Sequence, residues 1–440
     1  MPKCGLAEWS DILGCPYQGK SAVLGARFDS RELRKGDLFF ALQGKKVDGH
    51  SFLEEVAKKG AVGAVVAKSY EGPDFGLPLF RVDDVISSLQ NLAKEVQKRR
   101  KNRVIAVTGS VGKTTTKEFI ATLLSKKYRV GKTPGNANSQ VGLPLTLLNM
   151  EGDEEVLVLE MGMTQFKEIE KLVEIAPPEV AVVTKIGHAH IGFFGDKEQI
   201  AVAKSEIFSN PSTRLGIIGK EMLKYPSFQK LNCSIRSFSS KGQADYTLKK
   251  RKEEIFIEED GKKSPPLIFP FPEKHLIEDF LIAAAAAREM NLEWEEMAEQ
   301  VPALTLFEKR FEKIKRGEVL FINDSYNASF ESVITAIDNL PPPKGVGRRV
   351  FVFGEMVELG SYSESCHRKV AEHASSSMDV FFCYGRGCFP MIEVLEKKKK
   401  QVSFHLDFKE LSKALFDVVR AGDVVLIKGA KINALWRLLD

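Results

Sequence analysis

Residues 103 to 124 read RVIAVTGSVGKTTTKEFIATLL, and this order of residue types can do chemistry on phosphates. Val104 to Val107 is a short β-branched apolar run, which predicts a buried strand. Thr108 to Gly112 is a turn with two glycines and a serine, able to bring backbone N–H groups close to an anion. Beyond it Phe119, Ile120, Leu123 and Leu124 recur at helical spacing, so a helix starts at Lys113. Free N–H groups and the helix dipole then point at negative charge. Lys113 adds a charge-assisted contact to terminal phosphates, and the Thr114 or Thr115 hydroxyl can reach a Mg²⁺ ion. That is an ATP site in outline, with Thr108, Gly109, Ser110, Val111, Gly112, Lys113, Thr114 and Thr115 as its candidates. Two residues separate Gly109 from Gly112, where the standard P-loop has four before its Gly-Lys pair. A chance match on a solvated loop is the alternative, and the flanking strand and helix oppose it.

Other candidates stand singly. Val156 to Leu159 reads as a second buried strand, and Glu160 closes it where open α/β sheets bind ligands. A carboxylate there suits Mg²⁺, which takes hard oxygen donors; a solvated strand end is the plainer reading. The Gly/Asn/Pro-rich segment Thr133 to Leu145 predicts little regular structure, and the amides of Asn136 and Asn138 can donate and accept toward phosphates and a peptide. His188 and His190 follow the strand Val180 to Thr184 and invite a zinc reading, but no third soft ligand stands near them. Strand Val319 to Ile322 leads into Asp324, Ser325 and Asn327 at a strand-to-helix turn, again a ligand-facing edge.

Positioning these groups takes more than one core. A chain of 440 residues predicts two to four domains, and 43% hydrophobic with 28% charged residues is globular composition. The net charge of +5, from 64 basic and 59 acidic residues, argues neither for nor against a nucleic-acid partner, and none is expected. The basic runs Lys98–Arg103 and Lys397–Lys400 lack interleaved aromatics and read as a linker and a solvated helix end. Cysteines 4, 15, 233, 366, 383 and 388 form no CxxC pair, which predicts free thiols in a reducing cytoplasm. The longest apolar run, Phe280–Ala287, is too short to cross a bilayer. Near the N-terminus, LFFAL and Ala64–Ala67 predict strands around a helix Phe52–Lys59, and Asp83 or Asp84 caps a further helix from Val85. Residues 211–272 read as mixed polar strands, and the Ala-rich stretch after Glu273 as a helix. From residue 319 onward strands and helices alternate in a second doubly wound pattern. The expected fold is α/β in three domains: a small α/β unit over 1–98, a central P-loop-type mononucleotide-binding domain with a mostly parallel sheet over 99–304, and a Rossmann-like domain over 305–440.

TGSVGKTTTKE, the N-terminal DSR…GDLFFAL…DGH pattern and DSYNASF together resemble the Mur ligases, which extend the peptidoglycan stem peptide in the cytoplasm. The resemblance runs from Phe28 to Gly429. It implies that Asp29, Ser30 and Arg31 face a nucleotide-sugar, and that Arg310 reaches the nucleotide beside Asp324. It aligns Ala189-His190 with the family's Ala-His, leaving His188 outside, so that Glu160 and His190 approach a second Mg²⁺. Lys204 matches a lysine that several members carry as a carbamate, which would make it a further metal ligand. DSYNASF and GEMVELG…H are similar to the branch joining D-alanyl-D-alanine to UDP-N-acetylmuramoyl-tripeptide through an acyl phosphate, with Ser325 and Asn327 toward the acceptor. A monomer is expected. Departures from the family pattern are Ser139, Lys185, Leu276, Asp279, Phe330 and Ala430. The competing readings are a sister ligase adding one amino acid, as in folylpolyglutamate synthesis, and an NTP-binding regulator.

Overall fold

The computed structural model describes residues 5–44, 46–251 and 254–440. Cys4, one of the expected free thiols, lies outside them; Cys15, Cys233, Cys366, Cys383 and Cys388 are free. Two compact units emerge, one from Met1–Val107, Lys127–Ala181 and Glu206–Leu215, the other from Thr108–Lys126, Val182–Ser205 and Gly216–Asp440.

In the first unit, β1 (Gly25–Arg27), β2 (Asp37–Phe40), β3 (Gly63–Ala67) and β4 (Leu79–Val82) form a parallel sheet in sequence order. Its core is Leu33, Phe39, Ala41, Leu53, Val56, Ala64, Val66 and Leu77, and the LFF run is buried on both faces as a parallel strand requires. Asp84, not Asp83, caps the helix Val85–Lys98 by accepting from Ser87 N at 2.6 Å, while Asp83 pairs with Lys68. A second parallel set places β7 (Val156–Glu160) between β5 (Arg103–Thr108) and β6 (Val130–Lys132), with β8 (Val180–Val183) beyond β5. Arg103, expected in the linker, begins β5 and forks onto Glu179 with two bonds of 2.8 Å. The segment expected to lack regular structure ends in a helix, Gly142–Leu148, because every residue from Leu143 to Leu148 is buried and the apolar run outweighs its proline.

In the second unit, β9 (Leu215–Gly219) to β13 (Lys262–Lys263) lie side by side in chain order. They carry the mixed, partly polar strands expected of residues 211–272. The Ala-rich helix runs Lys274–Arg288, with ten residues buried. The last sheet has the order β14 (Glu312–Arg316), β15 (Val319–Asn323), β19 (Val424–Lys428), β16 (Arg349–Gly354), β17 (Val380–Tyr384), β18 (Gln401–His405). All its pairings are parallel except the β14–β15 hairpin. Phe321, Val350, Val352, Phe382, Val425 and Ile427 form its core. No helix among the described residues is long and apolar enough to cross a membrane.

Candidate functional site

The glycine turn in the second unit leads directly into a helix N-terminus. Gly112 is the N-cap of the helix Lys113–Leu124, with φ +85 and no capping side chain. A Cβ there would collide with Asp279 Oδ1, and one on Gly109 with Thr184 Oγ1. Only glycine leaves both spaces free, so the cradle fits an incoming anion such as the phosphates of ATP. The turn is braced from one side: Ser110 N donates to Lys185 O at 2.7 Å, Gly187 N to Ser110 Oγ at 2.9 Å, and Thr184 Oγ1 to Val111 O. Lys113 Nζ donates to Gly109 O at 2.8 Å, folded over the turn it serves. Thr114 Oγ1 accepts from Arg310 at 3.3 Å, while Thr115 lines the adjoining cavity; Thr108 is buried beneath.

That cavity, of 780 Å³, is lined by Val111, Gly112, Lys185, His275, Asp279, Arg310, Asp324 and Lys428 among others. Arg310 lies over the Tyr326 ring, 4.2 Å from its centroid, which aims a cation at the turn. Asp324 accepts from Lys428 Nζ at 2.6 Å and from Phe311 N at 3.2 Å. Burial pushes the Lys428 ammonium below its usual range and Asp324 opposes that push. Burial also drives the Asp279 carboxyl well above its ordinary value, against the pull of Lys185 and Arg310. Asn327 is exposed, with its carbonyl accepting from Lys428 at 3.1 Å. Ser325, expected to face substrate, instead points inward: it is 0% exposed and its hydroxyl donates to Asn323 Oδ1 at 2.6 Å. The hydroxyl shapes the turn.

His190 caps the short helix Ile191–Phe194 with φ +66, and its Nδ1 stands 2.7 Å from Glu358 Oε2. The ring holds the Glu358 carboxylate below its usual range. His188, outside the expected set, has its own carboxylate: Nδ1 lies 2.5 Å from Glu331 Oε1 and the backbone N donates to both oxygens. Desolvation alone would raise Glu331, but the His188 ring and backbone bonds bring it to about 2. Lys204 is 1% exposed, so it is not an ordinary surface lysine. Glu331 and Glu358 lay beyond sequence reasoning because nothing local marks a glutamate that meets a histidine more than 140 positions away.

The first unit holds the remaining candidates. Glu160 is buried at the end of β7, where Asn138 Nδ2 donates to Oε1 at 2.7 Å; the exposed Asn136 accepts from Asn138 N through its carbonyl. Asp29 and Arg31 form an exposed pair of 2.5 Å, and the guanidinium holds Asp29 down at about 2. Ser30, expected beside them as a substrate group, is buried: its hydroxyl donates to Glu55 at 3.2 Å and its carbonyl accepts from Lys59. Of the three, Arg31 alone lines the unit's cavity of 880 Å³, together with Arg27, Arg34, Lys132 and Asn149. Among the described residues no three His, Cys, Asp or Glu side chains converge as a metal cluster.

Three family models match in chain order. They are described as Mur ligase family, catalytic domain (residues 24–110), Mur ligase middle domain (107–287), and Mur ligase, glutamate ligase domain (309–431). The UDP-N-acetylmuramoyl-tripeptide–D-alanyl-D-alanine ligase of Bacillus subtilis is 34% identical over 431 residues, covering 95% of this chain and 93% of its own. Its Treponema pallidum counterpart is 30% identical, covering 96% and 95%. A crystal structure of MurF ligase from Thermotoga maritima in complex with ADP superposes with a TM-score of 0.79 at 28% identity, covering 98% and 97%. The three-domain α/β architecture with mostly parallel sheets is the one those relatives share. With a phosphate cradle in place and its length matched almost end to end, the chain belongs to the Mur ligase family.

Proposed function

We propose that this chain joins D-alanyl-D-alanine to UDP-N-acetylmuramoyl-tripeptide at the expense of ATP, giving the pentapeptide precursor of peptidoglycan with ADP and phosphate. One observation carries the reading: the Gly109–Thr115 cradle opens on a cavity lined by the Asp324–Lys428 pair, in a chain 34% identical to a ligase of that name. Carboxylate and amine do not condense unaided at neutral pH. ATP supplies the activation: the tripeptide carboxylate takes the γ-phosphoryl group, ADP leaves, and the amine then displaces phosphate to form the amide and release a proton. Lys113 and the helix N-terminus that starts after Gly112 hold the charge that builds on the transferred group. Arg310 adds a second cation beside Thr114.

Magnesium would neutralise phosphate charge when bound, and the hard oxygen of Thr114 fits it. Glu160, whose carboxylate Asn138 fixes, is assigned with His190 and Lys204 to a second ion. Burial supports a carbamate on Lys204, because an ammonium is costly inside a protein and CO₂ converts it to a carboxylate-like ligand. Residues 1–98 take the nucleotide-sugar end, 99–304 ATP, and 305–440 the incoming dipeptide through Asp324 and Asn327. Substrates of this kind and the free thiols of the described residues support a cytoplasmic enzyme, and we propose that it works as a monomer.

The test is phosphate release from ATP with Mg²⁺ and UDP-N-acetylmuramoyl-tripeptide, with and without D-alanyl-D-alanine. Release that needs both, with the pentapeptide seen by mass spectrometry, is the expected result. Release with a single amino acid and not the dipeptide would make this a sister ligase. Hydrolysis indifferent to any acceptor would point to a regulator. For Lys204, replacement by Ala should remove activity, and added bicarbonate should raise that of the native enzyme after CO₂ is stripped; no response to either sinks the carbamate.

A further inference from the structure

Gly25, Arg27, Asp37 and Asn149 form a built arrangement at the wall of the basic cavity in the first unit. Asn149 ends the helix Gly142–Leu148, and its Nδ2 donates to Leu145 O at 2.6 Å, tying the side chain to its own helix. The same amide then engages both backbone groups of Ala26: Nδ2 donates to Ala26 O at 2.9 Å and Oδ1 accepts from Ala26 N at 3.0 Å. It serves Ala26 as a neighbouring strand would, on β1, the edge of the four-stranded sheet. Oδ1 also accepts from Arg27 Nη1, which donates in addition to Ala26 O at 2.8 Å. Asp37 Oδ2 stands 3.6 Å from Arg27 Nε, and its carboxylate is almost completely buried.

Gly25 shows that the approach is designed into the sequence. A Cβ there would stand 2.5 Å from Asn149 Oδ1 and 2.8 Å from Asp37 Oδ1, so any other residue would push both acceptors away. An arginine held at two of its nitrogens in a cavity that also carries Arg31, Arg34 and Lys132 is poised for a multiply charged anion. We propose that Asn149 is a positioning residue for Arg27, and that Arg27 so held binds the diphosphate of the UDP-linked substrate. This rests on the nucleotide-sugar role given above to residues 1–98.

The test is a double-mutant cycle read by calorimetric titration of the full chain with UDP, alongside steady-state ligation. Asn149→Ala and Arg27→Ala should each weaken UDP binding roughly tenfold and raise KM for the UDP-tripeptide, with KM for ATP and for the dipeptide unchanged. The double variant should bind UDP no more weakly than Arg27→Ala alone, because Asn149 acts only through Arg27. Losses that multiply, or an Asn149→Ala protein with native UDP affinity, would overturn the proposal. If Asn149→Ala does not fold, Asn149→Asp keeps the acceptor for Arg27 and loses the donor to Ala26; it should retain most UDP affinity, and losing as much as Arg27→Ala would overturn the proposal. Normal pentapeptide formation and UDP binding in the native enzyme, with both single variants unaffected, removes Arg27 and Asn149 and leaves the proposed function standing. A native enzyme that ligates but does not bind UDP removes both Arg27 and the role of residues 1–98.

Discussion

The two cavities are of similar size, 780 and 880 Å³, yet they are charged on opposite plans. Six Lys or Arg residues and five carboxylates line the one beside the glycine turn, and among them Lys428 and Asp324 pair inside the protein. Four Lys or Arg residues and a single carboxylate, Glu32, line the other. A mixed set suits a site where charge moves during a reaction, because each developing charge meets a fixed group of opposite sign without rearrangement. A nearly one-signed set suits a ligand whose charge is constant and only has to be held. On the proposed reading, chemistry and anchoring thus fall to differently charged cavities.

That contrast is easiest to break at Lys113. If the cavity at the glycine turn does the chemistry, Lys113→Ala should lower kcat by at least about a thousandfold while UDP affinity stays native. Equal losses in both would mean the two cavities are not separate in function. Stability sharpens it further. Asp324→Ala leaves the Lys428 ammonium buried without its carboxylate, which should cost about 3 kcal/mol in chemical denaturation. Asp29→Ala, removing half of the exposed pair with Arg31, should leave the midpoint where it was. A comparable loss at both sites would show that burial is not what distinguishes them.

Much of the mixed cavity was legible in the sequence because its parts are contiguous. Strand, glycine turn and helix fall within residues 103–124, and local pattern fixed β5 and the helix Lys113–Leu124 to within a residue. Asp324 and Lys428 each stood at a strand end that alternation alone could locate. The basic cavity was harder, since Arg27, Lys132 and Asn149 come from three separate stretches and none carries a motif. Ser30 was read as a ligand group from the resemblance, and Ser325 from the resemblance and its strand-to-helix turn, but a hydroxyl is small enough to be buried with one partner, and sequence does not say which way it turns. The histidine pairs show the same limit. His188 and His190 were visible, while Glu331 and Glu358, which define their surroundings, were not.

Glu331 offers a pH-dependent version of the comparison. Its folded value of about 2 lies below the ordinary 4.5, so the stability it contributes is present above 4.5 and lost as pH falls toward 2. His188→Ala should therefore cost about 2 kcal/mol near neutral pH, and the gap between native and variant should close in acid. A gap that stays constant down to the acid limit would mean that packing of the His188 ring against Phe330, 5.1 Å away, carries the effect instead.

Asp279 runs the other way and should give a smaller effect than Glu331. Burial raises its carboxyl well above 3.8, so the fold favours the protonated form. The native state then binds more protons than the unfolded chain once pH passes 3.8, and stability declines from there until the folded value is exceeded. Asn has the same shape, keeps the contact that reserves position 112 for glycine, and cannot ionise. Asp279→Asn should accordingly match the native protein near about pH 4 and exceed it by about 1 kcal/mol at about pH 8. Thermal unfolding of the two proteins across that range decides the matter. Parallel curves would mean that Lys185 and Arg310 offset burial fully and that Asp279 is ionised in the cavity, which would add a fixed negative charge against the phosphates the cradle is built to hold.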